Sequence, residues 1–181
     1  RWKKIQTSEL NCASEEAGWQ IRSASVSDAA DIAAIYNYYV LNTVVTFEEK
    51  AVAEIEMAAR IQDVGGIGLP WIVAEQTGRS IVGYAYATRW KTRAAYKHSV
   101  EVTVYTAHDY RGRGLGSALY SELFARLKSM GIHAAVGGIA LPNEASVALH
   151  EKFGMIKVAQ FREIGYKAEQ WLDVGYWEKL F

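Results

Sequence analysis

Apolar positions in the first third of the chain recur with the period of an α-helix. Ser27 is the predicted N-cap of a first helix, and Asp28 and Asp31 fall in its first turn, where acidic side chains are favourable. A second helix is predicted over 52–64 and is expected to end at the glycine pair 65–66. The residues that give the first helix one apolar face are Ile32, Ile35, Tyr36, Tyr39 and Val40.

Apolar runs of strand length follow these helices. Segments 71–75 and 81–88 flank the turn-like segment 76–79 and therefore predict a β-hairpin, and a short strand is expected at 19–23. Segment 99–106 is rich in Val, Thr and Tyr, which favours a further strand.

In the second half of the chain, segments with the helical period of apolar residues alternate with apolar runs of strand length. A helix is predicted over 115–130, a buried strand over 134–140, a helix over 144–153, and two or three strands within 155–181. Together the elements predict one α+β domain over 19–181, built on a central mixed sheet.

Composition narrows the possible functions. The 181 residues carry 20 basic and 20 acidic side chains, so nothing supports a nucleic-acid or membrane surface, either of which requires a basic excess. Apolar runs such as 134–141 are far too short to span a bilayer. Residues 1–18 are polar and mixed in charge, and we expect an N-terminal tail there, not a signal peptide.

Cysteine and histidine usage argues against two further kinds of site. The single Cys12 excludes an intramolecular disulfide framework and a cysteine zinc site, and it favours a reducing, cytoplasmic location. The four histidines are scattered without HxH or HExxH spacing, so no metal centre is expected.

The segment Arg111-Gly112-Arg113-Gly114-Leu115-Gly116 carries the clearest chemical signal. It connects a predicted strand to a predicted helix, and its glycines allow backbone N–H groups to converge at the positive end of that helix, which is a geometry that binds phosphate. Its spacing is neither GxxxxGK[ST] nor GxGxxG, which excludes the two commoner nucleotide loops. A glycine-rich turn taken alone is equally compatible with a plain strand-to-helix connection.

The surrounding sequence makes the loop specific. It resembles in full the acyl-CoA pyrophosphate loop of the GNAT superfamily of N-acetyltransferases, (R/Q)-x-x-G-x-(G/A), at Arg111, Gly114 and Gly116. Segment 143–154 resembles the second signature of that superfamily, an Asn followed by small residues and an aromatic–Gly pair. The resemblance implies the GNAT fold, a single domain with a central mixed, mostly antiparallel sheet flanked by helices, and it implies acetyl-CoA as acetyl donor.

The resemblance also implies how acetyl-CoA is held. Strand backbone would pair with the pantetheine arm, loop amides would hold the pyrophosphate, and Asn143 would meet the pantetheine. Lys152 is placed to touch the phosphates, although a solvated surface lysine is the alternative. The implied cofactor-binding residues are Val104, Tyr105, Thr106, Arg111, Gly112, Arg113, Gly114, Leu115, Gly116, Ser117, Asn143 and Lys152.

A closer resemblance links the chain to phosphinothricin and methionine sulfoximine N-acetyltransferases. It is carried by segments 90–96, 100–105 and 171–177 and by the pair His150-Glu151. These enzymes acetylate the α-amine of amino-acid analogues that carry a phosphinic, sulfone or sulfoximine side chain, and they are homodimers. The resemblance therefore implies a small amino-acid substrate and a homodimer, with the aromatic residues of 171–177 in the core or the subunit interface.

Two residues are predicted to move protons. Glu101 lies mid-strand, where a carboxylate is costly unless it is hydrogen-bonded or functional. It matches the family's general base, which takes the proton that an α-ammonium must lose before attack, and a salt-bridged structural Glu is the alternative. His150 stands where many GNAT enzymes have a Tyr that protonates the departing thiolate, and it is predicted to be an acid, a base or a substrate-orienting group. A structural histidine bonded to backbone is the alternative.

The loop before the Glu101 strand is implied to hold the substrate. Arg93 is suited to grip a carboxylate or phosphinate through two N–H groups, although without the resemblance 91–93 would be an ordinary exposed loop. Phe47 resembles the aromatic lining of the amino-acid pocket, with plain core as the alternative. The implied substrate-binding residues are Phe47, Lys91, Thr92, Arg93, Tyr96, Val102 and Thr103.

The predicted reaction is direct acetyl transfer in a ternary complex. One alternative is an acetyltransferase for a protein N-terminus or a polyamine, and the basic loop argues against the polyamine. The other alternative is a non-catalytic CoA-binding sensor, which would need neither Glu101 nor His150.

Overall fold

The structure is a computed structural model that describes residues 18–78 and 80–181. The predicted tail, apart from Gly18, lies outside the described residues, and so do Cys12 and Arg79 of the predicted hairpin turn. None of the helices in the described part of the chain is long and apolar enough to cross a membrane.

Seven strands form one sheet in the order β1-β2-β3-β4-β5-β7-β6. Neighbouring strands are antiparallel except for β4 and β5, which run parallel, so the predicted mixed, mostly antiparallel sheet is confirmed. The strands are β1 (Trp19–Ser23), β2 (Trp71–Gln76), β3 (Ile81–Arg89), β4 (Ser99–Thr106), β5 (Ala134–Leu141), β6 (Ile156–Lys167) and β7 (Gln170–Leu180).

Four α-helices of the described residues cover the two faces of this sheet. Side chains alternate along β2, so that Val73 packs with the first two helices and Ile72 packs with the third. Each face therefore has its own core, and the predicted single α+β domain with flanking helices is confirmed. The helices are α1 (Ala29–Asn42), α2 (Glu54–Gly66), α3 (Leu115–Ser129) and α4 (Glu144–Lys152).

Two predicted helix ends are wrong. The N-cap of α1 is Asp28, not Ser27, because a short 3₁₀ turn over Val26–Asp28 precedes the helix, and Ser25 is the N-cap of that turn. The Ser25 N–H donates to Asp28 Oδ2 at 2.8 Å. Helix α2 continues through the glycine pair 65–66. The chain turns instead at Gly68, whose φ of +74° is in the left-handed region.

The join between β4 and β5 is short. The two strands pair only at Ser99–Ala134, Val100–Ala135 and Glu101–Val136, although each continues for five more residues. Beyond Glu101, β4 stays paired with β3 and β5 stays paired with β7. The sheet therefore divides at Glu101, and a cleft opens between the two strands.

Candidate active site

The cleft is a cavity of about 650 Å³ whose walls come from both halves of the sheet. Residues 102–106 of β4 form one wall, and residues 138–140 of β5 with the inner face of α4 form the other. The loop 110–117 closes one end, and Tyr39, Thr43 and Val45 border the opening on the α1 side. A strand edge and a helix N-terminus thus face the same space.

The edge of β4 presents backbone groups to the cleft. Trp90 N donates to the Ser99 carbonyl, and Ala107 N donates to the Val82 carbonyl, so odd-numbered residues of β4 direct their backbone groups to β3. By alternation, Val102, Val104 and Thr106 direct theirs toward the cleft. The Tyr105 backbone, which the sequence placed in this set, is used by β3.

The glycine-rich loop has the conformation that an anion site requires. Gly112 and Gly114 both have positive φ, 73° and 79°, and Gly114 is the N-cap of α3. The first bond within the helix is Ala118 N to the Gly114 carbonyl, so the amides of Leu115, Gly116 and Ser117 precede the helical ladder. These amides, at the positive end of α3, give this end of the cleft the geometry of an anion-binding site.

Cationic side chains surround this end, but they are held in different ways. Lys152 Nζ donates to Ser117 Oγ at 3.0 Å, which fixes a positive charge beside the first turn of α3. The Arg111 guanidinium lies over the Tyr39 ring, 5.2 Å from its centroid, and lines the cleft. Arg113 lies over the Tyr110 ring at 4.8 Å. The bond to Ser117 therefore places the Lys152 ammonium beside the amides at the start of α3.

Asn143 has two roles in the structure. Its Oδ1 accepts a hydrogen bond from Ser146 N at 3.1 Å, so it caps α4, and it also lines the cleft. A helix-start signal and a cofactor signature thus coincide at one residue.

Glu101 lies where β4 and β5 separate. Its carboxylate borders the cleft at Gly138, where an added Cβ would lie 3.4 Å from Glu101 Oε1. Burial raises the pKa of Glu101, and the positive charge of Lys91 opposes that shift. Within residues 18–78 and 80–181, no side chain or amide donates a hydrogen bond to this carboxylate. Its oxygens are therefore free to accept a proton.

His150 is buried, with 3% of its surface exposed, and both ring nitrogens are engaged. Nδ1 lies 2.7 Å from the Ser146 carbonyl, which can only accept, so Nδ1 carries the proton. Nε2 lies 3.0 Å from Tyr120 Oη and accepts from it in the neutral imidazole. Burial lowers the pKa of His150, with the Ser146 carbonyl opposing, so the ring is held neutral.

The predicted substrate residues separate into three places. Val102 and Thr103 line the cleft, whereas Lys91, Thr92 and Arg93 line a different cavity of about 360 Å³, together with Arg89 and Lys97. The positive charge of Lys91 opposes the rise that burial causes in the pKa of Glu101.

The two aromatic residues of the predicted substrate set lie outside both cavities. Tyr96 is in a short 3₁₀ turn, 39% exposed. Phe47 packs on Gly165 of β6. Of the predicted aromatic cluster at 171–177, Trp177 is in the core and Trp171 is exposed.

Sequence reasoning missed three residues that shape the cleft. Tyr120 is fully buried in α3 and bonds to His150, and Tyr39 Oη donates to the Thr106 carbonyl at 2.6 Å. Thr43 lines the opening. The available signal was a Tyr on the apolar face of each helix, since a buried hydroxyl requires a partner.

Comparison with known proteins agrees with this geometry. The family described as acetyltransferase (GNAT) domain matches residues 21–175. A phosphinothricin N-acetyltransferase of Streptomyces viridochromogenes is 40% identical over 165 residues, which cover 90% of this chain and 87% of that protein. An L-methionine sulfoximine/L-methionine sulfone acetyltransferase of Pseudomonas aeruginosa is 34% identical over 156 residues, 86% of this chain and 91% of that protein. Among solved structures, a phosphinothricin acetyltransferase of Sinorhizobium meliloti in complex with acetyl-CoA is 34% identical, covers 91% of this chain and 89% of that one, and superposes with a TM-score of 0.87.

Proposed function

The chain belongs to the GNAT acetyltransferase family, and we propose that it acetylates the α-amine of a small amino-acid analogue with acetyl-CoA as donor. The proposed substrates are of the phosphinothricin, methionine sulfoximine or methionine sulfone type, as in the named relatives. The observation that carries the proposal is the divergence of β4 and β5 at Glu101, which brings a strand edge, an anion site and a partly buried carboxylate to one cleft.

The chain's own groups fit acetyl-CoA, which supplies a thioester that an amine can attack. The backbone groups of Val104 and Thr106 would pair with the amides of the pantetheine arm as a neighbouring strand would. The amides of 112–117 would bind the pyrophosphate at the start of α3, with the charge of Lys152 beside them. Asn143, at the cap of α4, would meet the pantetheine from the opposite wall.

Glu101 is proposed as the general base. Its raised pKa makes it a better proton acceptor than an ordinary Glu, and its oxygens accept no hydrogen bond from the described residues. It would take the proton that the α-ammonium loses, and the amine nitrogen would then attack the thioester carbon directly. The sulfur would leave with the bonding electron pair, and the second proton lost from the nitrogen would pass through solvent to the thiolate, which gives the amide and the CoA thiol. The amides at the β4 edge would stabilise the negative charge that develops on the thioester oxygen.

His150 is proposed to orient the cleft wall, with Tyr120, instead of delivering a proton. Its Nδ1 proton is committed to the Ser146 carbonyl and its Nε2 to the Tyr120 hydroxyl. A neutral ring with both positions occupied has no proton to spare for the departing thiolate.

The anionic group of the substrate is proposed to meet the basic loop. Arg93 and Lys91 line the second cavity, and the effect of the Lys91 charge on the pKa of Glu101 supports this proposal. The amine would then lie at Glu101 with the anionic group toward Arg93, while Val102 and Thr103 contact the substrate from the cleft. Phe47 and Tyr96 would complete the site from its edge.

The C-terminal hairpin supports a homodimer. The hairpin exposes several large apolar side chains, which are the kind of surface that protein interfaces bury. Sedimentation of the wild type and of Ile164→Asp tests this, with a shift from dimer to monomer expected in the variant. The exposed residues are Ile156, Val158, Phe161, Ile164, Tyr166 and Trp171.

The proposed activity is tested by thiol release from acetyl-CoA against a panel of amines. We expect release with phosphinothricin, methionine sulfoximine or methionine sulfone, and little with polyamines or a peptide with a free N-terminus. Preferential release with the peptide would assign the chain to protein N-termini. Binding of acetyl-CoA without release on any amine would identify a CoA sensor.

A further inference from the structure

A buried lysine connects the C-terminal hairpin to the loop 43–53 between α1 and α2. Lys167 of β6 is 7% exposed, and its Nζ donates to the carbonyl oxygens of Val40 at 2.7 Å and Thr46 at 2.8 Å. Val40 is in the last turn of α1, whose carbonyls have no partner within the helix. Lys167 thus binds the end of the helix and the loop that follows it.

The loop that Lys167 holds forms part of the cleft. Thr46 is buried, and its hydroxyl lies 2.7 Å from Tyr36 Oη. Thr43 and Val45, immediately before it, line the opening on the α1 side. A shift of the Thr46 backbone would therefore move this wall.

A second contact joins the same two elements. The Phe47 ring lies on Gly165, where an added Cβ would be 2.3 Å from Phe47 Cζ. A side chain at this position would displace the ring. The hairpin therefore holds two adjacent loop residues, the carbonyl of Thr46 through Lys167 and the ring of Phe47 through Gly165.

Burial of the Lys167 ammonium carries a desolvation cost. Burial lowers the pKa of Lys167, and the charges of Glu49 and Glu48 oppose this. An apolar side chain would avoid the desolvation cost, whereas an ammonium with two carbonyl partners specifies one backbone position for each.

We propose that Lys167 is a positioning residue for the amine substrate, because it fixes the loop that forms the α1-side wall of the cleft. The inference rests on the proposed function for its kinetic consequence. Lys167 and Gly165 contact neither the loop 111–117 nor α3 nor Lys152. We therefore expect substitutions at Lys167 and Gly165 to leave acetyl-CoA binding unchanged.

The test compares three variants in steady-state kinetics. Lys167→Met should raise the KM for the amine about tenfold or more, as expected for a lost charged hydrogen bond, and leave the KM for acetyl-CoA within about twofold. Gly165→Ala should also raise the KM for the amine, since it displaces Phe47 and leaves Lys167 in place. Lys179→Met is the matched control, because Lys179 Nζ donates to the Phe153 carbonyl at 2.7 Å, away from the loop, and both KM values should stay unchanged.

Hydrogen exchange of residues 43–50 provides a readout that does not depend on activity. Exchange should be faster in Lys167→Met than in the wild type, and Lys179→Met should not alter it. Unchanged exchange and unchanged KM in a folded Lys167→Met protein would overturn the proposal, as would an equal rise in both KM values. If Lys167→Met does not fold, an unaltered amine KM and unaltered exchange in Gly165→Ala overturn it. A wild type that acetylates no amine would refute the proposed function, and the exchange result would still decide the role of Lys167.

Discussion

The proposed site has two halves that differ in the groups they present. The proposed cofactor half, formed by the β4 edge, the loop 111–117 and the start of α3, presents mainly backbone groups to the cleft. The proposed substrate half, formed by Glu101, the separate cavity at the loop 90–97 and the loop 43–53, presents mainly side chains. Backbone groups suit a cofactor that is always the same, whereas side chains can be exchanged when the amine changes. Substitutions in each half should therefore affect one ligand and spare the other.

Glu101 lies where the halves meet, and the largest effect is expected there. Glu101→Gln keeps the size of the side chain but cannot accept the proton, so kcat/KM should fall by about 10² to 10⁴ at neutral pH. Because burial raises the pKa of Glu101, the wild-type rate should begin to fall, as the pH is lowered, at a higher pH than it would with an ordinary Glu as the base. The defect should shrink as pH approaches the amine pKa. A pH–rate profile of both proteins checks this, and parallel profiles within threefold would make Glu101 structural.

The next largest effect belongs to the cofactor half. Gly114→Val places a β-branched residue at φ +79° and disturbs the amides that bind the pyrophosphate, so the Kd for acetyl-CoA should rise about 100-fold. Gly131→Val is the matched control, because Gly131 has φ +75° at the other end of α3, and it should lose stability but keep its affinity. Equal Kd values for acetyl-CoA in the two folded variants, measured by calorimetry, would show that the loop 111–117 does not bind the cofactor.

A smaller effect is expected in the substrate half. Arg93→Lys keeps the charge but loses the planar pair of donors, so the KM for the amine should rise by about tenfold or less, with the acetyl-CoA KM unchanged. Arg126→Lys on α3, far from both cavities, serves as the reference. An Arg93→Lys enzyme with the wild-type KM for every accepted amine would make this loop a surface turn.

The smallest effect concerns stability. A carboxyl whose pKa is raised by folding destabilises the folded state at pH values above both its folded and unfolded pKa, and this destabilisation vanishes in acid. Glu101→Gln should therefore raise the Tm at pH 7 by about 1–2 °C, a modest gain because solvent screens the partly exposed carboxylate. The gain should disappear as pH falls below the ordinary Glu range. Thermal melts at both pH values measure this, and a lower Tm at pH 7 would contradict burial as the cause.

The two halves also differed in how far the sequence predicted them. The proposed anion site was predicted because its residues lie in one short segment, and closely spaced glycines before a helix are compatible with a phosphate-binding loop. Even there, the strand register decided that Val104 and Thr106, not Tyr105, direct their backbone N–H and C=O groups to the cleft. The substrate half draws on residues far apart in the chain. No local pattern reveals that Lys167 bonds to Thr46, or that Phe47 packs on Gly165, since both contacts depend on where the hairpin crosses the loop.

The predicted N-cap at Ser27 was wrong for a similar reason. Ser27 has the right residue type for an N-cap, but Asp28 is bound by Arg22 through two hydrogen bonds of 2.8 Å, and this contact favours a turn that begins two residues earlier. The glycine pair 65–66 remains helical, and the reversal occurs at Gly68.

The short join between β4 and β5 has a consequence for folding. Strands β1 to β4 pair in sequence order, and β7 pairs with both β5 and β6, so each block can assemble from contacts within its own stretch of chain. The join is parallel, needs the crossover through α3 and contributes three residue pairs. We therefore expect the two blocks to form first and the cleft last. A chain cut near Gly131 should yield two fragments that recombine, and catalytic competence should appear only when they do.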